Sequence, residues 1–278
     1  MKRARGFTLL ELVVSIAVSA IVLVFAGLFV KAPLDAYMAS SRRTEIQDSV
    51  SVAWPRIETD LHSALPNSVR VTASGSNKAL ELLPVAASAR FMSTPGAAPF
   101  KTAGYFFNPV PAHTPTVPAT LPTGTYFLSV NNAPPNDAYA LTNVMTPANR
   151  QLKFSGDPAT SEDAITISPS VTFATGSPSN HIYLVTRPVT YLCNESAGTL
   201  QRFSGYTIAG SQGSRNTAAK LTSAGAAVSL VARDITSCSF SVQASTPSQG
   251  QIVTIRMTVT RDGETTSIFH QAAVDRLQ

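Results

Sequence analysis

Between Leu12 and Val30 the chain runs for 19 residues without a formal charge, bounded by Glu11 and Lys31. A stretch of about 20 apolar residues is what a helix needs to cross the hydrocarbon of a bilayer. In lipid the backbone must satisfy its own polar groups, so such a run is committed to being helical. Lys2, Arg3 and Arg5 precede it. By the positive-inside rule that end stays cytoplasmic and the long C-terminal part is exported. Glu11 sits at the edge of the run, where a carboxylate is costly and marks a function with a partner to be named.

An ordinary secretory signal is cut after its apolar region and loses it. Here no small-x-small site follows the run cleanly; the small residue is Gly6, ahead of it. A cut between Gly6 and Phe7 would remove only the basic hexapeptide and keep the helix. The order of basic leader, Gly6-Phe7-Thr8-Leu9-Leu10-Glu11 and apolar run resembles the class III signal of type IV pilins and of the pseudopilins of type II secretion. The resemblance implies a prepilin peptidase that cuts after Gly6 and methylates the new N-terminus at Phe7.

The chemistry of that start is readable from the residues. A freed Phe7 amine is positive at neutral pH, and Glu11 lies four residues deeper on the same helical face. Within lipid the two charges are cheaper paired than alone. When subunits stack with an offset of about one helical turn, Glu11 of one can meet the Phe7 amine of the next and fix register. Ser15 and Ser19 form a small-xxx-small pair of the kind that lets helices approach closely.

Past the span a second helical part follows. Ile46, Val50, Ala53, Ile57, Leu61 and Leu65 make one apolar stripe, with Arg42, Arg43, Glu45, Asp48, Arg56, Glu58 and Asp60 mostly opposite. Pro33 and Pro55 are expected to kink this helix, and Pro66-Asn67 to end it. Trp54 is expected in the core. From Ser68 the signals are extended. Strands are expected at Val69–Thr72, Ala79–Leu83, Tyr105–Phe107, Tyr126–Val130 and Ala164–Ile167. Others are expected at Ile182–Leu192, Leu200–Ile208, Val228–Val231, Ser239–Val242, Ile252–Thr260 and Thr265–Ala273. Pro84 to Gly124 is rich in proline and expected to be mostly loop, either a functional surface or an excursion. Ile252 to Thr260 alternates strictly, and Arg261-Asp262-Gly263-Glu264 carries a hairpin turn.

Two cysteines, Cys193 and Cys238, fall in the exported part, which argues for one disulfide, with two buried thiols as the alternative. A second resemblance covers the last third of the chain. Val189-Thr190-Tyr191-Leu192-Cys193, Gly198-Thr199-Leu200-Gln201-Arg202, Leu230 to Ile235 and Cys238-Ser239-Phe240 resemble the minor pilin-like proteins of the mannose-sensitive haemagglutinin pilus (MshO) and PilW-type subunits. That layout implies a structural Cys193–Cys238 disulfide.

Charged residues are 13% of the chain, about half the usual share, which suits an exported β-rich domain. Losing Lys2, Arg3 and Arg5 leaves 18 Lys and Arg against 16 Asp and Glu. With no dense basic patch bearing aromatics, no nucleic-acid partner is expected. His62, His113, His181 and His270 are scattered, none at a metal-ligand spacing. Gly210-Ser211-Gln212-Gly213-Ser214 lacks the lysine of a phosphate loop. No enzyme, metal or cofactor is expected.

The sequence therefore points to an α+β, pilin-like chain. Its parts are a leader at 1–6, the transmembrane half of a helix at 7–32 and the amphipathic half at 33–66. A periplasmic β-rich domain follows at 67–278, with a proline-rich insertion at 84–124. The resemblance implies a minor subunit of a type IV pilus, assembled with other minor and major pilins from inner-membrane lipid. The alternatives are a minor pseudopilin of type II secretion and a tip adhesin. Replacing Gly6 by a bulky residue should abolish the gel mobility shift produced by co-expressed prepilin peptidase. A shift that persists would move the cut elsewhere.

Overall fold

The computed structural model describes residues 8–51, 53–92, 100–103, 119–130, 132, 137–142, 144–157, 162–173, 177, 180–244 and 250–274. Helix α1 (Leu9–Ser51) carries Pro33 in its interior and continues past it. Helix α2 (Ala53–His62) follows and carries Pro55 near its first described residue. Past the helix end Asn67 takes a left-handed φ of 62°, a conformation asparagine tolerates.

The stripe is buried as its spacing predicts. Ile46, Ala53, Ile57 and Leu61 are no more than 1% exposed, while Glu45 and Arg56 face solvent. Burying a side chain the size of Ile57 or Leu61 stabilises the docked helix by about 2 kcal/mol each. The Val50 and Asp48 side chains lie outside the described ones.

Among the described residues fifteen strands make three antiparallel sheets. β1 (Arg70–Ser74) and β2 (Asn77–Leu82) form a hairpin, whose Gly75 has a φ of 56° that a side chain would resist. Seven strands follow: β3 (Val85–Phe91), β4 (Phe100–Ala103), β5 (Ala119–Leu121), β6 (Tyr126–Val130), β7 (Gln151–Asp157), β8 (Glu162–Ser168) and β9 (His181–Thr186). They form one sheet in the order β5-β7-β8-β4-β3-β9-β6. Then come β10 (Val189–Asn194), β11 (Thr199–Ser204), the short helix α3 (Ala218–Ser223) and β12 (Ala227–Arg233). With β1 and β2 these strands complete a five-stranded sheet, β1-β2-β10-β11-β12. β13 (Ile235–Gln243), β14 (Ile252–Arg261) and β15 (Glu264–Ala273) form the third.

Three differences from the sequence expectation have physical reasons. The run Ile182–Leu192 is two strands, because Arg187-Pro188 carries the chain from one sheet to another. The proline-rich stretch holds β3, β4 and β5; Val85 to Phe91 alternates half-buried and exposed side chains, a period masked by its small residues. Gln151–Asp157 and α3 were not expected at all. The expected strand at Tyr105–Phe107 lies outside the described residues.

One core lies where α1 and α2 meet the five- and three-stranded sheets. Ile57 and Leu61 join Leu80, Tyr191 and Cys193 on one side and Ile255 and Met257 on the other. In β14 Val253, Ile255, Met257 and Val259 are all at most 2% exposed, as its alternation requires. Trp54 packs at the edge of this core and stacks on His270 of β15, ring centroids 4.2 Å apart and planes 10° from parallel. The docking is fixed by a polar clamp. The Asp60 carboxylate accepts from Arg202 Nε at 2.6 Å and from the Tyr191 hydroxyl at 2.6 Å.

Removing Asp60 leaves a half-buried guanidinium and phenol without their acceptor. Asp60→Ala should therefore lose about 2 kcal/mol of stability, read as a lower urea midpoint in the fluorescence of Trp54, the single tryptophan. An unchanged midpoint would mean the clamp does not hold the helix.

Candidate functional site

The head of α1 is a reciprocal cap. Thr8 precedes the helix, and its hydroxyl oxygen accepts from Glu11 N–H at 3.2 Å. In return Glu11 Oε2 accepts from Thr8 N–H and from the Thr8 hydroxyl, each at 3.1 Å. This is a capping box, Thr-x-x-Glu, in which two orphan donors of the first turn are satisfied by side chains three residues apart. The carboxylate also sits at the positive end of the helix dipole. Among the described residues nothing donates to Glu11 Oε1.

Deeper in the helix the polar groups are likewise closed off. Ser15 Oγ donates to Leu12 O at 2.9 Å and Ser19 Oγ to Ser15 O at 2.7 Å. Both hydroxyls are thus spent on their own backbone, so the small-residue face offers shape rather than hydrogen bonds. The surrounding side chains are apolar and bare: Leu9 is 81% exposed and Phe29 76%. From Leu9 the helix is long and apolar enough to cross a membrane, with a mean hydropathy of 2.8 in its most apolar window and none of that window buried. In water such a surface would be untenable for a monomer; in lipid it needs no cover.

Gly6 and Phe7, the assigned cleavage and methylation positions, lie outside the described residues, so the amine that would face Glu11 does too. Cys193 and Cys238 are joined in a disulfide. It runs from β10 to β13 and so ties the five-stranded sheet to the three-stranded one, with Glu195 Oε1 accepting from Cys238 N–H at 3.0 Å. His62, His181 and His270 stand apart. His181 accepts from Arg90 Nε at 3.2 Å, and burial together with the Arg90 charge lowers its proton affinity. His113 is outside the described residues. Among the described residues no group of three or more His, Cys, Asp and Glu is placed to hold a metal.

A buried polar network beneath β1 and β2 has no local signal in the sequence. Arg70 Nε donates to Glu81 Oε2 at 2.7 Å, and its two terminal nitrogens donate to Gly210 O and Ala209 O at 2.7 and 2.8 Å. Its guanidinium lies 3.4 Å from the centroid of the Tyr139 ring. The Tyr206 hydroxyl donates to Glu81 Oε1 at 2.8 Å. Burial pushes the Glu81 carboxyl up against the opposing pull of Arg70. Burial, then the Glu81 charge, pushes the phenols of Tyr139 and Tyr206 well up. Every arm of Arg70 is used within the fold. The network braces the strands against the 206–212 segment. Likewise Tyr191 is raised by burial first and by Asp60 second, which keeps it the donor in the helix clamp.

The family model for the prokaryotic N-terminal methylation motif matches residues 1–27. Neither the curated proteins nor the solved structures contain a match to the chain. The matched segment comprises the basic leader, the capped head and most of the uncharged run. Replacing Thr8 by Val removes one half of the box. It should cost about 1 kcal/mol at the helix head, seen in detergent micelles as roughly fivefold faster amide exchange at Leu10 and Glu11. Unchanged exchange would mean the box does not hold the first turn.

Proposed function

We propose that this chain is a minor pilin-like structural subunit. It is made as a prepilin in the bacterial inner membrane, cut after Gly6, N-methylated at Phe7 and incorporated into a type IV pilus of the mannose-sensitive haemagglutinin kind. The observation that carries this reading is the methylation motif matched at residues 1–27, set on a membrane-length helix whose far half docks on a β-rich domain. The leader's positive charges hold that end in the cytoplasm and send the sheets to the periplasm. The cysteine layout that resembles MshO and PilW-type subunits supports the finer assignment, and the disulfide between β10 and β13 fits it. The extra seven-stranded sheet makes the subunit bulky for a position repeated along a whole filament, which favours a minor role.

Mechanistically, Glu11 serves two partners. Its Oε2 takes both hydrogens offered by Thr8 of the same helix, which fixes the rotamer of the carboxylate before any neighbour arrives. Oε1 is left to accept from the methylated Phe7 amine of an adjoining subunit, a cation that finds no water in the bilayer. The apolar flank of α1 moves from lipid into a bundle of like helices at little cost, because both surroundings are equally apolar. Register then rests on the one polar pair.

Glu11→Gln separates cap from charge, since glutamine serves at this position of a capping box but cannot neutralise an amine. Both Glu11→Gln and Glu11→Ala should be cut and methylated normally, and both should be lost from sheared filaments while remaining in the membrane fraction. Normal incorporation of the glutamine variant would reduce Glu11 to a helix cap and remove the pairing from the mechanism.

A further inference from the structure

β2 and β10 are hydrogen-bonded neighbours, with Leu82 opposite Val189. Between them the chain makes a long excursion, leaving at Leu83 and returning at Pro188. Its first and last strands, β3 and β9, also pair, with Val85 opposite Val185. Thr186 N–H donates to Pro84 O at 2.9 Å. Departing and returning strands thus stay bonded across the junction, and the two ends of the excursion lie side by side.

The cores divide at the same place. Among the described residues, the core around Ile57, Leu80, Tyr191 and Met257 draws none from 85–186, and the core around Leu128, Phe154, Ile165 and Leu184 draws only from there. A third cluster forms the seam, where Leu65 and Leu83 meet Phe127, Met145 and Tyr183. Polar bonds cross it: Asn67 Nδ2 to Asn132 O at 2.7 Å, and Arg187 to both Gly124 O and Gly205 O. The seam is firm, yet among the described residues it shares none with either core. Among the described residues α1 packs chiefly on β12, β14 and β15, all from outside the excursion.

We infer that residues 85–186 are an inserted folding module, and that the helix with the five- and three-stranded sheets is a self-sufficient assembly body. Closing β2 onto β10 by a two-residue turn would leave an ordinary hairpin. Arg70 would lose only its stacking on Tyr139 and keep Glu81, Ala209 and Gly210. The module is then the part of the subunit free to face partners outside the filament, while assembly is carried by the body. This last step rests on the function proposed above; the folding claim does not.

Two experiments on the full-length chain test it. In the first, amide exchange is followed in detergent-solubilised protein with and without Cys193→Ser/Cys238→Ser. Protection should fall in β10 and β13 and stay unchanged at Ile165 and Leu184; a parallel fall in both sets would show one cooperative unit and overturn the inference. In the second, residues 84–187 are replaced by Asn-Gly in a chain also carrying Leu65→Thr and Leu83→Thr, which keep the bared seam polar. The variant should form its disulfide and enter filaments as the parent does. Failure to form the disulfide, or exclusion from filaments that admit the parent, would contradict a self-sufficient body. If the parent itself never enters filaments, the proposed function fails while the exchange result still decides the folding claim.

Discussion

One helix has to satisfy two different surroundings, and the rest of the structure follows from that. From Leu9 to Met38 the described large apolar side chains of α1 are exposed, while Ile46, Ile57 and Leu61 are fully enclosed. A helix apolar on every side is stable in lipid, and a striped one is stable against a sheet. The switch from one pattern to the other sets where membrane ends and domain begins. Around it the charges become functional: Arg42 reaches Asp262 O at 3.5 Å, and Glu45 pairs with Arg261 at 3.0 Å. Those exposed pairs contribute little; the apolar stripe and the Asp60 clamp do most of the holding.

The domain is built to make that docking rigid. Two separate sheets meet the same helical stripe, and a mismatch in their relative position would open the core. The disulfide joins them at Cys193 and Cys238, beside the stripe. Closing the intervening loop removes freedom from the unfolded chain, worth about 4 kcal/mol in the entropy model. The Arg70–Glu81 brace holds β1 and β2 from the other face of the same sheet.

How much of this was legible depended on whether the signal was local. The membrane-length helix and the methylation motif at residues 1–27 are readable because each is a pattern along one short stretch of chain. The same holds for the alternation of β14 and its Asp262-Gly263 turn, where both residues take positive φ. The Thr8–Glu11 box is equally local, a Thr-x-x-Glu at the head of the apolar run. What stayed hidden is non-local. Arg70 and Glu81 face each other only once β1 and β2 are in register, and Asp60 meets Arg202 across most of the body. The proline-rich stretch read as loop because prolines punctuate it; that β3 pairs with β9, far along the chain, is written in neither segment alone.

The central claim is that the apolar helix is retained and begins at a charged, capped head, serving first lipid and then a bundle of its own kind. Intact-mass and N-terminal peptide spectrometry of the protein taken from native membranes addresses this directly. The account predicts a chain that starts at N-methylated Phe7 and contains everything after it. A chain that begins beyond Lys31, with the helix removed, or that still carries Met1 in cells with active prepilin peptidase, would contradict it.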